Sequence, residues 1–271
     1  MSSSGTVHVQ SGFEGAYDAG DKLLAVAYED GPTLIAQMNP LDPTQRELVI
    51  LGTEQRDKID IQKGDVEGAV EVRFNEKHLG KFKVKNEHGP TIERIVVYGL
   101  GSDDDIKVHK NAGQIPTELY GGPGNDKLRG GEGDDYLSGG DGDDVLSGQA
   151  GRDIMIGGLG SDKINGDDGD DILVGGVYIE SENRAAIHAI SHEWSRTDLD
   201  FASRVDHLLG GGGLNEGFLL NATTAFDDNA KDKLRGKKGL DWFMSDSDDD
   251  KTDADLDELL TEIEFEFVSG N

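Results

Sequence analysis

The sequence has no cysteine, which excludes disulfide stapling and thiolate metal sites alike. Apolar residues are few: the hydrophobic fraction is 35%, and no apolar run approaches the roughly 18 residues of a membrane-crossing helix. Positive charge is scarce as well. With 26 Lys and Arg against 55 Asp and Glu, the formal net charge is -29, which argues against nucleic acid as a partner and makes cations the natural counterpart. The opening residues "MSSSGTVHVQ" lack the basic start and apolar centre of a signal peptide. There is no H-E-x-x-H, no G-x-S-x-G and no thiol nucleophile, so the residues point away from an enzyme.

Glycine is what the chain has in excess, 39 in 271 residues, about twice ordinary usage. Such a composition suits either a largely unstructured chain or a fold that does not rest on a conventional core. The length allows one elongated domain or two compact ones. The glycine is periodic. Residues 121–174 divide into the nonapeptides GGPGNDKLR, GGEGDDYLS, GGDGDDVLS, GQAGRDIMI, GGLGSDKIN and GDDGDDILV. Positions one, two and four are glycine in 16 of 18 cases, the exceptions being Gln149 and Asp167. Position six is always aspartate: Asp126, Asp135, Asp144, Asp153, Asp162 and Asp171. Position eight is always apolar: Leu128, Leu137, Leu146, Met155, Ile164 and Leu173.

Each position has a physical reading. Glycine permits a tight turn with positive φ, and the three residues after the aspartate make a short strand whose middle side chain points inward. Nine residues then give a turn and a strand, and two repeats give a full coil. Repeats two apart stack at about 4.8 Å, which puts Asp126, Asp144 and Asp162 in one column and Asp135, Asp153 and Asp171 in the other. Two bare carboxylates about 5 Å apart repel by roughly 3 kcal/mol at an effective dielectric of about 20. A divalent ion between them reverses the sign. Calcium fits best, because it accepts six to eight hard oxygen ligands in flexible geometry, whereas magnesium requires a tighter octahedron.

The pattern G-G-x-G-x-D-x-U-x resembles the hemolysin-type calcium-binding (RTX) repeat. The resemblance covers residues 121–174 and implies a parallel β-roll with calcium ions between stacked turns. It also implies ligation by the position-six aspartates and by turn carbonyls, here those of Gly122, Gly124, Gly131, Gly133, Gly139, Asp141, Gly148, Ala150, Gly157, Leu159, Gly166 and Asp168. In the fourth repeat Gln149 and Arg152 depart from the pattern, and a cation beside a calcium site is expected to weaken it. Pairing repeats two apart gives several ions, about four or more, each contributing about 1.4 kcal/mol at tenfold saturation. At low cytosolic calcium the roll is expected to be unfolded, and to fold outside the cell.

The remaining segments extend this reading into an all-β dominated fold, a parallel β-roll or β-helix solenoid with a short helical insertion near the C-terminal end. Residues 1–49 read as an N-terminal β segment or the end of a preceding domain, with two strands and a turn in "KLLAVAYEDGPTLIAQM". Residues 50–118 read as irregular β-helix coils, with a separate small β-domain as the alternative. "GLGSDDDIK" keeps the nonapeptide phase with Asp104 at position six, and "GTEQRDKID" keeps only Gly52, Asp57 and Ile59. Residues 119–176 are the calcium roll. A 3.6 period then places Ile187, Ile190 and Trp194 on one helix and Phe201, Val205, Leu208 and Leu209 on another, within an insertion over 177–222. The second helix is expected to start at Thr197 and stop at the glycines from Gly210. Over 223–245 "DKLRGKKGLDWFM" returns to the nonapeptide phase and adds Asp232 and Asp241 to Asp104 as calcium candidates. Asp171 is expected to end its column, with Asp153 its one clear pair.

His188 and His192 stand four apart on a helix and could ligate zinc, but the reading taken is an exposed pair. "DSDDDKTDADLD" resembles an EF-hand loop without its glycine, and 246–271 is read as a solvated acidic tail. The C-terminal "LDELLTEIEFEFVSGN" is either a cap or an uncleaved export signal of type I secretion. The whole order resembles the C-terminal regions of large secreted or surface proteins of environmental bacteria. The resemblance implies a non-enzymatic, calcium-binding extracellular module, structural or adhesive, with a partner in the matrix or on a cell surface. The alternative is the accessory C-terminal domain of a secreted hydrolase.

Overall fold

The computed structural model describes residues 24–27, 31–43, 45–65, 67–84, 92–245, 250–253 and 259–262. In the repeat region a strand begins just after each aspartate and runs into the glycines of the next nonapeptide, as in Lys127–Gly131, Tyr136–Asp141, Val145–Ala150, Ile154–Leu159 and Lys163–Asp168. Successive strands go to alternate sheets. Leu128 therefore lies beside Leu146 and Leu146 beside Ile164 in one sheet, while Leu137 lies beside Met155 and Met155 beside Leu173 in the other, all in parallel pairing.

The position-eight side chains fill the space between the two sheets. Leu128, Leu137, Leu146, Met155, Ile164 and Leu173 are fully buried, together with Ile106, Leu234 and Phe243 above and below them. Each such side chain contributes about 1.5 to 3 kcal/mol. The protein is thus all-β dominated, with ten strands in one sheet and nine in the other among the described residues.

Upstream, the strands are longer because the turns are not bound to the nonapeptide. Strand Arg46–Thr53 pairs in parallel with Arg94–Leu100, and Lys58–Lys63 with Asp105–Val108, which continues both sheets. The stack is not made of coils alone here. The antiparallel strands Ala69–Phe74 and Lys77–Lys83 extend one sheet, and the hairpin Leu24–Ala27 with Thr33–Met38 extends the other.

Downstream, the chain leaves the stack after Ile172–Val174 and forms helices α1, Arg184–Trp194, and α2, Phe201–Gly210. Asn183 caps α1 through its side-chain oxygen. The start of α2 differs from the sequence expectation: Asp200, not Thr197, is the cap, and its carboxylate accepts the Ser203 amide at 2.8 Å. Gly211 closes the helix at φ 86°. Ile187, Ile190, Trp194, Val205 and Leu208 are buried against Tyr136, Ile154, Ile156, Ile172, Val174 and Trp242 on the outer face of the ten-stranded sheet. The outer positions of the other sheet in the same repeats hold Lys127, Lys163 and Lys233, which are exposed. Val145 is the apolar exception on that face among these repeats, whereas the matching outer positions of the ten-stranded sheet are apolar throughout them, and that sheet carries the helices.

The chain then re-enters the stack. Strand Lys233–Lys238 pairs in parallel with Lys163–Asp168, and Trp242–Ser245 with Ile172–Val174. Asp171 is therefore not the end of its column, because the coil after the helices stacks directly upon it. Two further strands, Lys251–Thr252 and Leu259–Glu262, follow in parallel register. In the acidic run, Asp253 accepts the Gly236 amide at 2.8 Å, so residues 250–253 belong to the stack and not to an EF-hand loop. The remainder of that run, the residues before Leu24 and those after Glu262, including the export-signal reading, lie outside the described residues.

Candidate metal centre

The position-six aspartates form two ladders. In the first, the Asp57 amide donates to Asp104 Oδ1, that of Asp104 to Asp126, Asp126 to Asp144, Asp144 to Asp162, Asp162 to Asp232 and Asp232 to Asp250, at 2.6 to 2.9 Å. In the second, the amides of Thr117, Asp135, Asp153 and Asp171 donate to Asp135, Asp153, Asp171 and Asp241, at 2.7 to 2.9 Å. Oδ1 of each carboxylate is used in holding the coil before it.

The Oδ2 atoms of Asp104, Asp126, Asp135, Asp144, Asp153, Asp162, Asp171 and Asp232 are buried and have no hydrogen-bond partner among the described residues. These residues are at most 2% exposed. A buried carboxylate oxygen without a donor is costly, and one per turn in regular array calls for a common counterpart.

The position-one glycines define the space these atoms face. A Cβ on Gly121 would lie between Asp126 Oδ2 and the Gly139 carbonyl, and one on Gly139 between Asp144 Oδ2 and the Gly157 carbonyl. Gly130 stands likewise to Asp135 and Gly148, Gly157 to Asp162 and Gly175, and Gly166 to Asp171 and Gly236. Glycine is needed because a side chain would fill the cradle. At position two the need is conformational: Gly122, Gly140 and Gly158 have φ from 101° to 112°. Gln149, Asp167 and Lys237 adopt the same region at 77° to 85°, at a cost of roughly 1 to 2 kcal/mol each.

Burial pushes the ladder carboxyls up. Asp126 rises to about 6, Asp104 and Asp144 to about 7, Asp232 to about 8 and Asp162 to about 9, with loss of water the largest cause and the amide at Oδ1 opposing it. Asp135, Asp153 and Asp171 are raised well above the usual range for the same first reason. Such groups resist ionisation unless a cation stands beside them.

The donor set is oxygen throughout. Among the described residues no three His, Cys, Asp or Glu side chains converge. The cradles offer carboxylate oxygens, most of them with a backbone carbonyl opposite, which suits a hard cation of flexible coordination such as calcium and does not suit zinc.

The other sequence candidates fall into distinct places. The carbonyls of Gly122, Gly124 and Gly133 face the glycine two repeats on. Those of Asp141, Leu159 and Asp168 accept the amides of Gly124, Gly142 and Gly151 at 2.7 to 3.1 Å. Gly131 packs against the Val108 side chain instead, and Ala150 pairs with Asp168 along the strand edge. Arg152 does not lie on a ladder carboxylate. Its Nη1 donates to the carbonyls of Ser195 and Arg196, just past the end of α1, and its guanidinium lies 3.7 Å from Asp170.

His188 and His192 are not an exposed pair. His192 is exposed, but His188 is half-buried with Nε2 3.0 Å from Glu118. Glu118 and Glu47, both fully buried, are bridged by Arg184 at the start of α1. Burial alone would raise Glu118, yet His188, Arg184 and Arg94 hold it at about 2. Sequence reasoning missed this cluster, which has no periodic signal. It also missed Asp250 as a ladder member, although Asp250 follows Asp232 at the same 18-residue step as the others. At the start of the first ladder, Asp57 Oδ2 also faces a position-one glycine, Gly52, and the Gly99 carbonyl, but its oxygens are already partnered: Thr53 donates to Oδ2 through N and Oγ1, and Asn75 to Oδ1.

No curated protein and no solved structure gives a significant match to the chain. Residues 120–155 and 147–177 match the family model of the RTX calcium-binding nonapeptide repeat, in four copies, which makes this central stretch an array of RTX repeats.

Proposed function

We propose that the chain is a calcium-binding module that folds when calcium fills the cradles along both aspartate columns. Its stack is a parallel β-roll that continues into a longer solenoid on either side of the helical insertion. The observation that carries this reading is the row of eight buried, unpartnered Oδ2 atoms, each facing a position-one glycine and six of them also the carbonyl of the next coil. The ligands are the ladder aspartates from Asp104 to Asp241 and the carbonyls of the position-one and position-two residues. When bound, calcium neutralises carboxylates that burial otherwise holds against ionisation.

The role is structural, not catalytic, and the place of action is outside the cell, where calcium is at millimolar levels. There the module serves a secreted or surface protein as a calcium-hardened spacer or adhesive segment. The high negative charge supports a partner reached through calcium or through neutral surface rather than through phosphate.

The test is a calcium titration of the whole chain followed by far-UV circular dichroism, with magnesium in parallel. Conversion to a β-rich spectrum by calcium near 1 mM, with little response to magnesium, is expected. A spectrum that is equally β-rich in excess chelator at neutral pH overturns the reading.

A further inference from the structure

The helical insertion leaves and re-enters the stack within a single turn. Gly175 occupies the position-one place for Asp232: a Cβ there would face Asp232 Oδ2, and its amide donates to the Met244 carbonyl at 2.9 Å. Between these two residues lie both helices. The insertion is closed at its neck by an antiparallel pair, Val177–Tyr178 with Ala225–Phe226. One turn is therefore built from two stretches of chain far apart in sequence.

This turn also differs chemically from its neighbours. In four other turns the position-four amide donates to the position-three carbonyl of the next coil, Gly124 to Asp141, Gly142 to Leu159, Gly151 to Asp168 and Gly169 to Lys238. At the splice there is no such carbonyl. The Gly160 amide donates instead to Asp228 Oδ2 at 2.6 Å. A carboxylate oxygen thus stands where those turns have a backbone carbonyl. Beside it, Oδ2 of Asp162 and of Asp232 are unpartnered, in residues 1% exposed, and the Gly175 carbonyl shares the cradle of Asp162.

We propose that this spliced turn, lined by Asp162 and Gly175 before the insertion and Asp228 and Asp232 after it, holds a calcium ion, and that filling it docks the helices. The inference rests on the calcium reading above. Calcium takes hard carboxylate oxygen readily, and here Asp228 sets a carboxylate where the turns of Gly124, Gly142, Gly151 and Gly169 set a backbone carbonyl. An ion held by both ends of the insertion closes its loop, which ordering of the helices alone must otherwise do.

Trp194 reports the docking, since it is fully buried in α1 and its Nε1 donates to the Asp170 carbonyl at 3.0 Å. The experiment uses the full chain with Trp242→Phe, so that Trp194 is the one remaining tryptophan. Calcium is titrated while Trp194 emission and far-UV dichroism are followed. Asp228→Asn keeps an oxygen for the Gly160 amide and removes the charge; it is expected to raise the docking midpoint on the order of tenfold. Asp228→Glu restores the charge and is expected to return the midpoint to within about threefold of the parent. Glu216→Gln, an exposed loss of charge on the insertion, leaves the midpoint in place. A docking midpoint unchanged in Asp228→Asn, or equal in the Asn and Glu variants, overturns the proposal. Absence of any calcium response in the parent chain is a different result, and overturns the calcium reading itself.

Discussion

The amide of Asp171 donates to Oδ1 of Asp241 at 2.9 Å, across 70 residues of sequence. The column that holds Asp135 and Asp153 therefore continues past the helices, and Asp171 is an interior member like Asp144. Asp171→Ala and Asp144→Ala should each impair two neighbouring cradles. At about 1.4 kcal/mol per tenfold-saturated site, both should raise the calcium midpoint for folding, and by similar amounts. A much smaller shift for Asp171→Ala would mean that the coil after the insertion does not pair in solution.

Substitution of a cradle glycine should act on the ion rather than on backbone strain. Gly139 does not have positive φ, so alanine is sterically allowed by its own backbone, yet its Cβ would meet Asp144 Oδ2 and the Gly157 carbonyl. Gly139→Ala is expected to weaken calcium binding about as much as Asp144→Ala does, as read by calorimetric titration. Gly210, the last residue of α2, has nothing within 4 Å of a Cβ. There Gly210→Ala should leave calcium binding unchanged and stabilise the helix by roughly 0.5 to 1 kcal/mol.

The columns, the inward position-eight residues and the alternation between sheets were legible because each rests on a strict nine-residue period. Three things were not. Outer-face polarity has a period of eighteen: Tyr136, Ile154, Ile172 and Trp242 face the helices, whereas Lys127, Lys163 and Lys233 face water, and a nine-residue alignment averages the two. Asp228 and the Arg184, Glu47 and Glu118 cluster are single tertiary contacts that leave no trace in local pattern. The start of α2 was ambiguous because Thr197, Asp198 and Asp200 are all acceptable caps, and only the contact to Ser203 decides among them.

Arg184 is the main polar tie between α1 and the sheet. Its guanidinium reaches Glu47 at 2.8 Å and Glu118 at 2.8 Å, and both acids are fully buried. Arg184→Met should leave the Glu47 carboxylate with the neutral Gln37 amide as its side-chain donor and weaken Glu118, which keeps Arg94 and His188. Breaking a buried pair costs about 3 to 5 kcal/mol, so the expected result in saturating calcium is a clear fall in melting temperature. Near-UV dichroism should show the loss first around Trp194. An unchanged melting temperature would mean that apolar packing alone holds the helices.

In the chelated protein, protons should do part of what calcium does. The ladder carboxyls have folded-state values raised from 3.8 to about 6 for Asp126, about 7 for Asp144 and about 9 for Asp162. A group raised on folding supports the folded state fully below its unfolded value, and that support is lost as pH rises through the folded value. Chelated protein should therefore hold most β structure near pH 4 to 5 and lose it between about pH 5 and 9. Glu118 sets the acid limit. Its folded value, about 2 against 4.5, gives stability present above 4.5 and lost as pH falls toward 2. With calcium the slope inverts, because protons compete for the same carboxylates, and the calcium midpoint should rise as pH falls. The measurement is far-UV dichroism from pH 3 to 9, in chelator and in calcium. β content in chelator that increases steadily from pH 5 to 8 would show that the ladder is not held apart by its own charge, and that calcium acts elsewhere.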